Sequence, residues 1–217
     1  PMQKSVYSPV LMDDVVAAID RIAAREGTSR SNMINRILAE YTQMTTPEQY
    51  IRSIFDAVNE VLGTQSVLQP MLASSTDAML TLRSALQYKY NPSVRYSVEL
   101  YRSAGEEMGE LRAQLRTQSP ALILYLAQFF RLWAKLEAAY LPGPQRSYDI
   151  ADGRFSRRLR TPCDMTPEQA GEAIANYVRL FDACLKTYFD NLSSPEAAVR
   201  AVENVYAKNL DAVTAQL

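Results

Sequence analysis

The sequence predicts a mainly α-helical protein: an N-terminal unit of one short strand and two helices, followed by an all-helical, bundle-like domain. Two observations lead to this fold class. Apolar residues recur at intervals of three and four along most of the chain, which is the spacing of one helix face. Several of these runs open with a small polar residue before a proline, a pair typical of helix starts because the first helical position needs no amide hydrogen. These starts are Thr46-Pro47, Asn91-Pro92, Ser119-Pro120, Thr166-Pro167 and Ser194-Pro195.

The helical domain is predicted to span residues 45–217 and to hold about six helices. One predicted helix contains the apolar residues Val94, Val98 and Leu115. Two later predicted helices contain Ile174 and Val202. Short joints place successive helices antiparallel, as in an up-and-down bundle. Four aromatic residues at helical spacing are interpreted as core, with a ligand pocket as the alternative. They are Phe129, Phe130, Trp133 and Tyr140.

The N-terminal unit, residues 1–44, is predicted to run strand, helix, turn, helix. Residues 4–11 favour an extended segment, and Asp13 suits a helix start. The apolar stripe of this helix stops at Gly27, the residue type expected just past a helix end. Ser29 can cap the second helix. Because a lone strand has no partner and two short helices cover little apolar area, the unit needs a second copy to build a core.

One pattern in this unit carries a resemblance to a known family. The pattern is Val15-x3-Ile19-x2-Ile22-x4-Gly27-Thr28-Ser29-Arg30-Ser31-x2-Ile34. It resembles the ribbon-helix-helix repressors of the Arc, MetJ and CopG type, and the resemblance covers residues 3–41. In that family two strands from two chains pair into an antiparallel ribbon that enters the major groove of DNA. The resemblance therefore implies a homodimer, joined through the N-terminal strand, whose partner is duplex DNA.

The resemblance also implies roles for single residues. The base-facing positions of the ribbon are Lys4, Val6, Ser8 and Val10, with Tyr7 and Leu11 facing the dimer core. Valine can touch a thymine methyl group but cannot hydrogen-bond a base. A shift of one residue in register would expose Ser5 and Tyr7 instead. The residues that hold a backbone phosphate, at the start of the second helix, are Ser29, Arg30 and Ser31.

Residues 141–165 are predicted to form a long basic loop. Asp152-Gly153 is a turn pair and suits a small hairpin within this loop. Four arginines of the loop form a second candidate contact for an anion such as phosphate. They are Arg154, Arg157, Arg158 and Arg160. The alternative is that they pair with acidic helices, in particular the helix that carries Glu168, Glu172 and Asp182.

Little in the sequence supports a metal site, a cofactor or a membrane protein. The chain has no histidine, the commonest metal ligand, and two cysteines without metal-ligand spacing. Glu106, Glu107 and Glu110 are interpreted as surface charge, since a helical metal site draws further ligands from other helices. No cofactor is expected. The lack of an apolar signal core or spanning segment predicts a cytoplasmic protein.

Two functions fit these features. The first is a homodimeric transcriptional regulator that occupies an operator, while the helical domain extends the dimer or receives a signal. The second is a protein-interaction scaffold, such as an antitoxin or a plasmid-transfer accessory protein, in which residues 47–217 bind a partner protein and DNA binding is weak or unspecific. An enzyme is not expected, because the chain lacks histidine and any nucleophile motif.

Overall fold

The computed structural model describes residues 8–42, 45–63, 67–71, 78–102, 105–141, 146–160 and 165–210. The chain divides into two compact units, Pro1–Tyr50 and Ile51–Leu217. None of the described helices combines the length and the unbroken apolar run that crossing a bilayer requires.

The first unit contains a pair of helices, α1 (Asp13–Arg25) and α2 (Arg30–Tyr41). Between them Gly27 has φ 63°, a left-handed conformation that glycine adopts without strain. The Ser29 hydroxyl accepts a hydrogen bond from the Asn32 amide, as predicted for a helix cap. The two helices meet through a small cluster of apolar side chains. The buried members are Ile19, Ala23 and Met33, and Ile22 and Ile34 pack against them.

Four further helices are described: α3 (Pro47–Leu62), α4 (Pro120–Tyr140), α5 (Pro167–Asp190) and α6 (Pro195–Lys208). Each begins at a proline that follows a small polar residue, so four of the five predicted helix starts are confirmed. At two of these starts the cap is reciprocal: Thr46 with Gln49 at α3, and Thr166 with Gln169 at α5, exchange side-chain and backbone hydrogen bonds. The fifth predicted start, Asn91-Pro92, is wrong, because it precedes a strand.

The prediction of a mainly α-helical chain with an all-helical second domain is wrong. Within the described residues, six strands form one antiparallel sheet, which makes the protein an α/β protein. The strands are β1 (Gln69–Pro70), β2 (Met79–Ala85), β3 (Ser93–Leu100), β4 (Glu107–Gln114), β5 (Tyr148–Ala151) and β6 (Arg154–Arg160). Their spatial order is β1-β2-β3-β4-β6-β5. The described part of residues 45–210 holds four helices, where about six were predicted.

The helix predicted through Val94, Val98 and Leu115 is two strands, β3 and β4. Val94 and Val98 are four apart and therefore fit a helix face, but they also fit the two-residue period of a strand. In β3 the residues between them complete that period, since Tyr96 is buried and Arg95 is exposed. Valine and tyrosine are common in strands, which favours the observed structure.

The predicted basic loop is also wrong over most of its length. Residues 148–160 form the hairpin of β5 and β6, whose turn is Asp152-Gly153, with Gly153 at φ 67°. The turn and the hairpin that it joins agree with the prediction, but the hairpin fills more than half of the segment that was predicted as a loop. A glycine and a run of arginines suggested a loop. They are also compatible with a strand pair, in which successive side chains alternate between a buried and a polar face.

One face of the sheet packs against α4 and α5 through aromatic side chains. Phe181 of α5 lies at the centre, with its ring 5.4 Å from Phe129, 4.8 Å from Trp133 and 5.2 Å from Phe155 of β6. Of the four aromatics predicted as core, Phe129, Phe130 and Trp133 are buried and Tyr140 is half-buried. This layer encloses the core of the second unit.

Candidate functional site

The start of α2 carries the residues predicted to hold a phosphate. Ser29, Arg30 and Ser31 are exposed, and the first turn of α2 contains no acidic residue. The first amides of a helix lack carbonyl partners within it and carry partial positive charge. This helix end therefore suits an anion, although the Ser29 hydroxyl is already used as the cap of the helix.

Arg30 is engaged by a carboxylate that the sequence analysis did not single out. Its Nε and Nη2 donate to the two carboxylate oxygens of Asp20 on α1, both at 2.6 Å. The hydrogen bond from Arg30 lowers the pKa of Asp20. Both side chains are about half exposed, at 55% and 43%. A phosphate at this end of α2 must therefore share Arg30 with Asp20 or displace Asp20.

The predicted base-facing residues fall at the edge of what the structure describes. Lys4 and Val6 lie outside the described residues. Ser8 and Val10 are exposed and precede α1, in a segment where residues 8–12 form neither helix nor strand. The ribbon itself therefore stays a prediction.

The first unit leaves a large share of its apolar side chains uncovered. Its described residues bury only Ile19, Ala23 and Met33. Several large apolar side chains before and on the two helices are exposed instead. They are Val10, Leu11, Met12, Val15, Ile37, Leu38 and Tyr41. Scattered apolar residues are normal on a surface, but this many in so short a unit mark an interaction surface.

The four arginines proposed as a second anion contact do not lie on one surface. Arg157 is buried on the helix-facing side of β6, whereas Arg154, Arg158 and Arg160 are exposed. Arg154 pairs with Asp149 at 3.1 Å, and Arg158 lies 3.7 Å from Glu107. Because side chains of a strand alternate between its two faces, Arg154, Arg158 and Arg160 lie on the polar face and Arg157 lies on the opposite one.

The ion pairs of these arginines also differ from the predicted alternative. The suggested partners were carboxylates of α5, but Asp182 of α5 pairs with Lys186 at 2.7 Å. Asp182 also accepts hydrogen bonds from Ser84 at 3.1 Å and from Tyr96 at 2.9 Å. The acceptors for the arginines come instead from α4, β4 and β5. Asp182 thus serves as a buried anchor that joins α5 to β2 and β3.

The polar face of the sheet holds a small cavity of about 170 Å³. It is lined by Glu110, Ser147, Asp149, Ser156 and Arg158. Glu110 accepts hydrogen bonds from Ser156 and from Arg112. Desolvation raises the pKa of Glu110, but the hydrogen bonds from Arg112 and Ser156 outweigh it, and the net result is a lowered pKa. The carboxylates of this cavity are therefore paired with cations of the same face. Among the described residues, no group of side chains is arranged to hold a metal ion.

A second polar cluster, which the sequence analysis missed, lies inside the core of the second unit. We call it the Glu137 cluster; its members are Glu137, Arg146, Tyr148, Arg157, Tyr177 and Tyr206. Glu137 of α4 is 0% exposed and Arg157 is 1% exposed. Arg157 Nε lies 3.1 Å from Glu137 Oε1, and its guanidinium group lies 4.7 Å from the ring centre of Tyr177.

Tyr177 of α5 connects this ion pair to the only tryptophan of the chain. Its hydroxyl accepts a hydrogen bond from Trp133 Nε1 at 2.8 Å and donates one to Glu137 Oε2 at 3.2 Å. Burial raises the pKa of Glu137, and the attraction of Arg157 only partly offsets this effect. A buried ion pair is costly, because a protein with well-packed apolar residues in its place is often equally stable or more stable.

One signal in the sequence could have revealed the Glu137 cluster. Glu137 stands in a strongly apolar helix at a position four residues after Trp133, on the face that packs into the core. A charged residue on the buried face of a helix requires a partner. Its partner on β6 could not be found from spacing, because the strand itself was not predicted.

Comparison of the chain with known protein families, with curated proteins and with solved structures found no match in any of the three.

Proposed function

We propose that the protein is a homodimeric DNA-binding transcriptional regulator. In this proposal the N-terminal strands of two copies pair into a ribbon that enters the major groove, and the start of α2 binds the DNA backbone. The observation that carries the proposal is the uncovered apolar surface of the first unit. Among its described residues, three apolar side chains are buried and seven large ones are exposed. A second copy of the unit, packed on this surface, would supply the missing interior.

The chemistry of the α2 start supports the DNA-binding part of the proposal. Free amides, the Ser31 hydroxyl and the Arg30 guanidinium lie at one helix end without an acidic residue in its first turn. Such an end binds phosphate regardless of base sequence. Asp20 restrains Arg30 in the absence of DNA and competes with the phosphate for it.

Fluorescence anisotropy with duplex DNA tests this proposal. We expect binding at low salt that weakens as salt rises, because phosphate binding releases counterions. Arg30→Gln should weaken binding and reduce the slope of log affinity against log salt by about 0.9 for each phosphate that the variant no longer neutralises. Arg36→Gln is the matched control, since Arg36 lies on the same helix and is paired with Glu26 at 2.6 Å.

A second pair of variants separates the role of Asp20 from a general effect of negative charge. Asp20→Asn releases Arg30 and should tighten DNA binding, whereas Glu26→Gln removes an equal charge near Arg36 and should tighten it less. If the intact dimer binds no DNA, the regulator is excluded. In that case the scaffold hypothesis, with residues 47–217 bound to a partner protein, takes its place.

A further inference from the structure

We infer that the Glu137 cluster is a binding site for a small organic monocarboxylate, held between Arg146 and Tyr206 in the second unit. The inference does not rest on DNA binding. It rests on three properties of the cluster: its excess of positive charge, its buried donors without acceptors and its aromatic walls.

The charges of the cluster do not balance. Two guanidinium groups, on Arg146 and Arg157, face a single carboxylate, that of Glu137. Glu137 is occupied by Arg157 at 3.1 Å. The next carboxylate in this region, Glu203, accepts a hydrogen bond from Tyr140 at 2.9 Å. Arg146 forms no ion pair with any carboxylate among the described residues. One further negative charge would neutralise the cluster, which favours a monoanion over a dianion.

Outside the ion pair of Glu137 and Arg157, two donors of the cluster are buried without a hydrogen-bond acceptor among the described residues. One is the Tyr206 hydroxyl, on a side chain that is 0% exposed, and the other is Arg146 Nε. The positive charge of Arg146 opposes the rise in the pKa of Tyr206 that burial causes. A buried donor without an acceptor costs free energy, and native proteins rarely keep one without a bound water, an ion or a function. A carboxylate has two acceptor oxygens, which is the number that these two donors require.

The surroundings favour an organic anion. The ring of Tyr206 lies 5.2 Å from the ring of Trp133 and 5.6 Å from that of Tyr140. Arg146 and Tyr148 are half-buried and mark where the cluster approaches the surface. The planar fork of a guanidinium group matches the two oxygens of a carboxylate. An aromatic wall beside such a fork suits a carboxylate with a short apolar part.

Trp133 provides a direct readout of the site. It is the only tryptophan, it contacts Tyr206, and its indole NH is linked through Tyr177 to Glu137. Sodium acetate is titrated into the full chain at an ionic strength held constant with sodium fluoride. We expect a saturable change in tryptophan fluorescence. Inorganic phosphate, titrated in the same way, should produce no saturable change.

Tyr206→Phe and Arg146→Gln should each weaken acetate binding by about tenfold or more, since each removes one buried donor. Arg160→Gln, which alters an exposed arginine of β6, should leave the affinity unchanged. Tyr206→Phe removes only a hydroxyl group and keeps the test decisive if Arg146→Gln fails to fold, as judged by circular dichroism. The inference is overturned if acetate gives no saturable signal, if phosphate alone does, or if Tyr206→Phe binds acetate as tightly as the wild type.

Discussion

Glu137 lies at the C-terminal end of the buried face of α4, and its environment makes its charge dependent on pH. Burial raises its pKa above the ordinary value of 4.5, although Arg157 opposes this shift. Above that value the folded state therefore binds more protons than the unfolded state. The contribution of Glu137 to stability is fully present in acid and is lost as pH rises through the raised pKa.

Glu137→Gln tests this linkage, because glutamine resembles the protonated carboxyl group and does not titrate. We expect the free energy of unfolding of the variant to rise relative to that of the wild type between about pH 4.5 and about pH 7. Urea unfolding at both pH values measures the difference. If the free energies of unfolding of the variant and the wild type differ by the same amount at both pH values, Glu137 does not carry a raised pKa.

Tyr177 is the residue whose hydroxyl satisfies two buried groups at once. Tyr177→Phe leaves Trp133 Nε1 without its acceptor and removes a hydrogen bond from Glu137. We expect this variant to lose about 1–3 kcal/mol in the free energy of unfolding. Tyr140→Phe is the control, since its partner Glu203 is half-buried and can bond to water, and it should lose less than about 1 kcal/mol.

At the scale of single elements, the helix starts were predictable and the strands were not. Helix caps are local: Thr166 and Gln169 stand three residues apart, and the sequence shows them directly. A strand is stabilised by its neighbours, as when Tyr96 of β3 pairs with Leu82 of β2 and with Ala113 of β4. The spacing of Val94 and Val98 fits the period of a helix and that of a strand. Only the pairing with neighbouring strands decides between helix and strand.

The contact between α3 and α5 depends on a glycine. A Cβ atom at Gly171 would lie 2.5 Å from the Ile54 carbonyl oxygen and 2.6 Å from the Ala57 Cβ. Because backbone cannot move away as a flexible side chain can, Gly171→Ala should separate the two helices and cost about 1–3 kcal/mol. Gly105→Ala, where the nearest atom lies at 3.9 Å, should change stability by less than about 0.5 kcal/mol. Thermal unfolding distinguishes the two variants; equal stability would contradict the close packing.

At the scale of the whole molecule, spacing in the sequence finds only contacts between nearby residues. Ser29 was predicted as the cap of α2, and Asn32 is three residues away. The Asp20 to Arg30 pair joins two helices across ten positions, and Ser84 and Asp182 are 98 positions apart. The Glu137 cluster likewise assembles from α4, α5, α6, the hairpin of β5 and β6, and Arg146, which precedes that hairpin. Such clusters follow from the topology of the sheet, which the mainly helical prediction did not contain.

The oligomeric state is the property on which the proposed function depends most. Leu38 of α2 and Leu124 of α4 are equally exposed leucines, at 56% and 53%, and they belong to different units. If two copies join through the first unit, Leu38→Glu places a charge in the dimer interface, whereas Leu124→Glu leaves that interface intact. We expect light scattering coupled to gel filtration to show a dimer for the wild type and for Leu124→Glu, and a monomer for Leu38→Glu. Because the ribbon needs two strands, the monomeric variant should also bind duplex DNA at least about tenfold more weakly. A wild type that remains monomeric at high concentration would contradict both the dimer and the DNA-binding mode built on it.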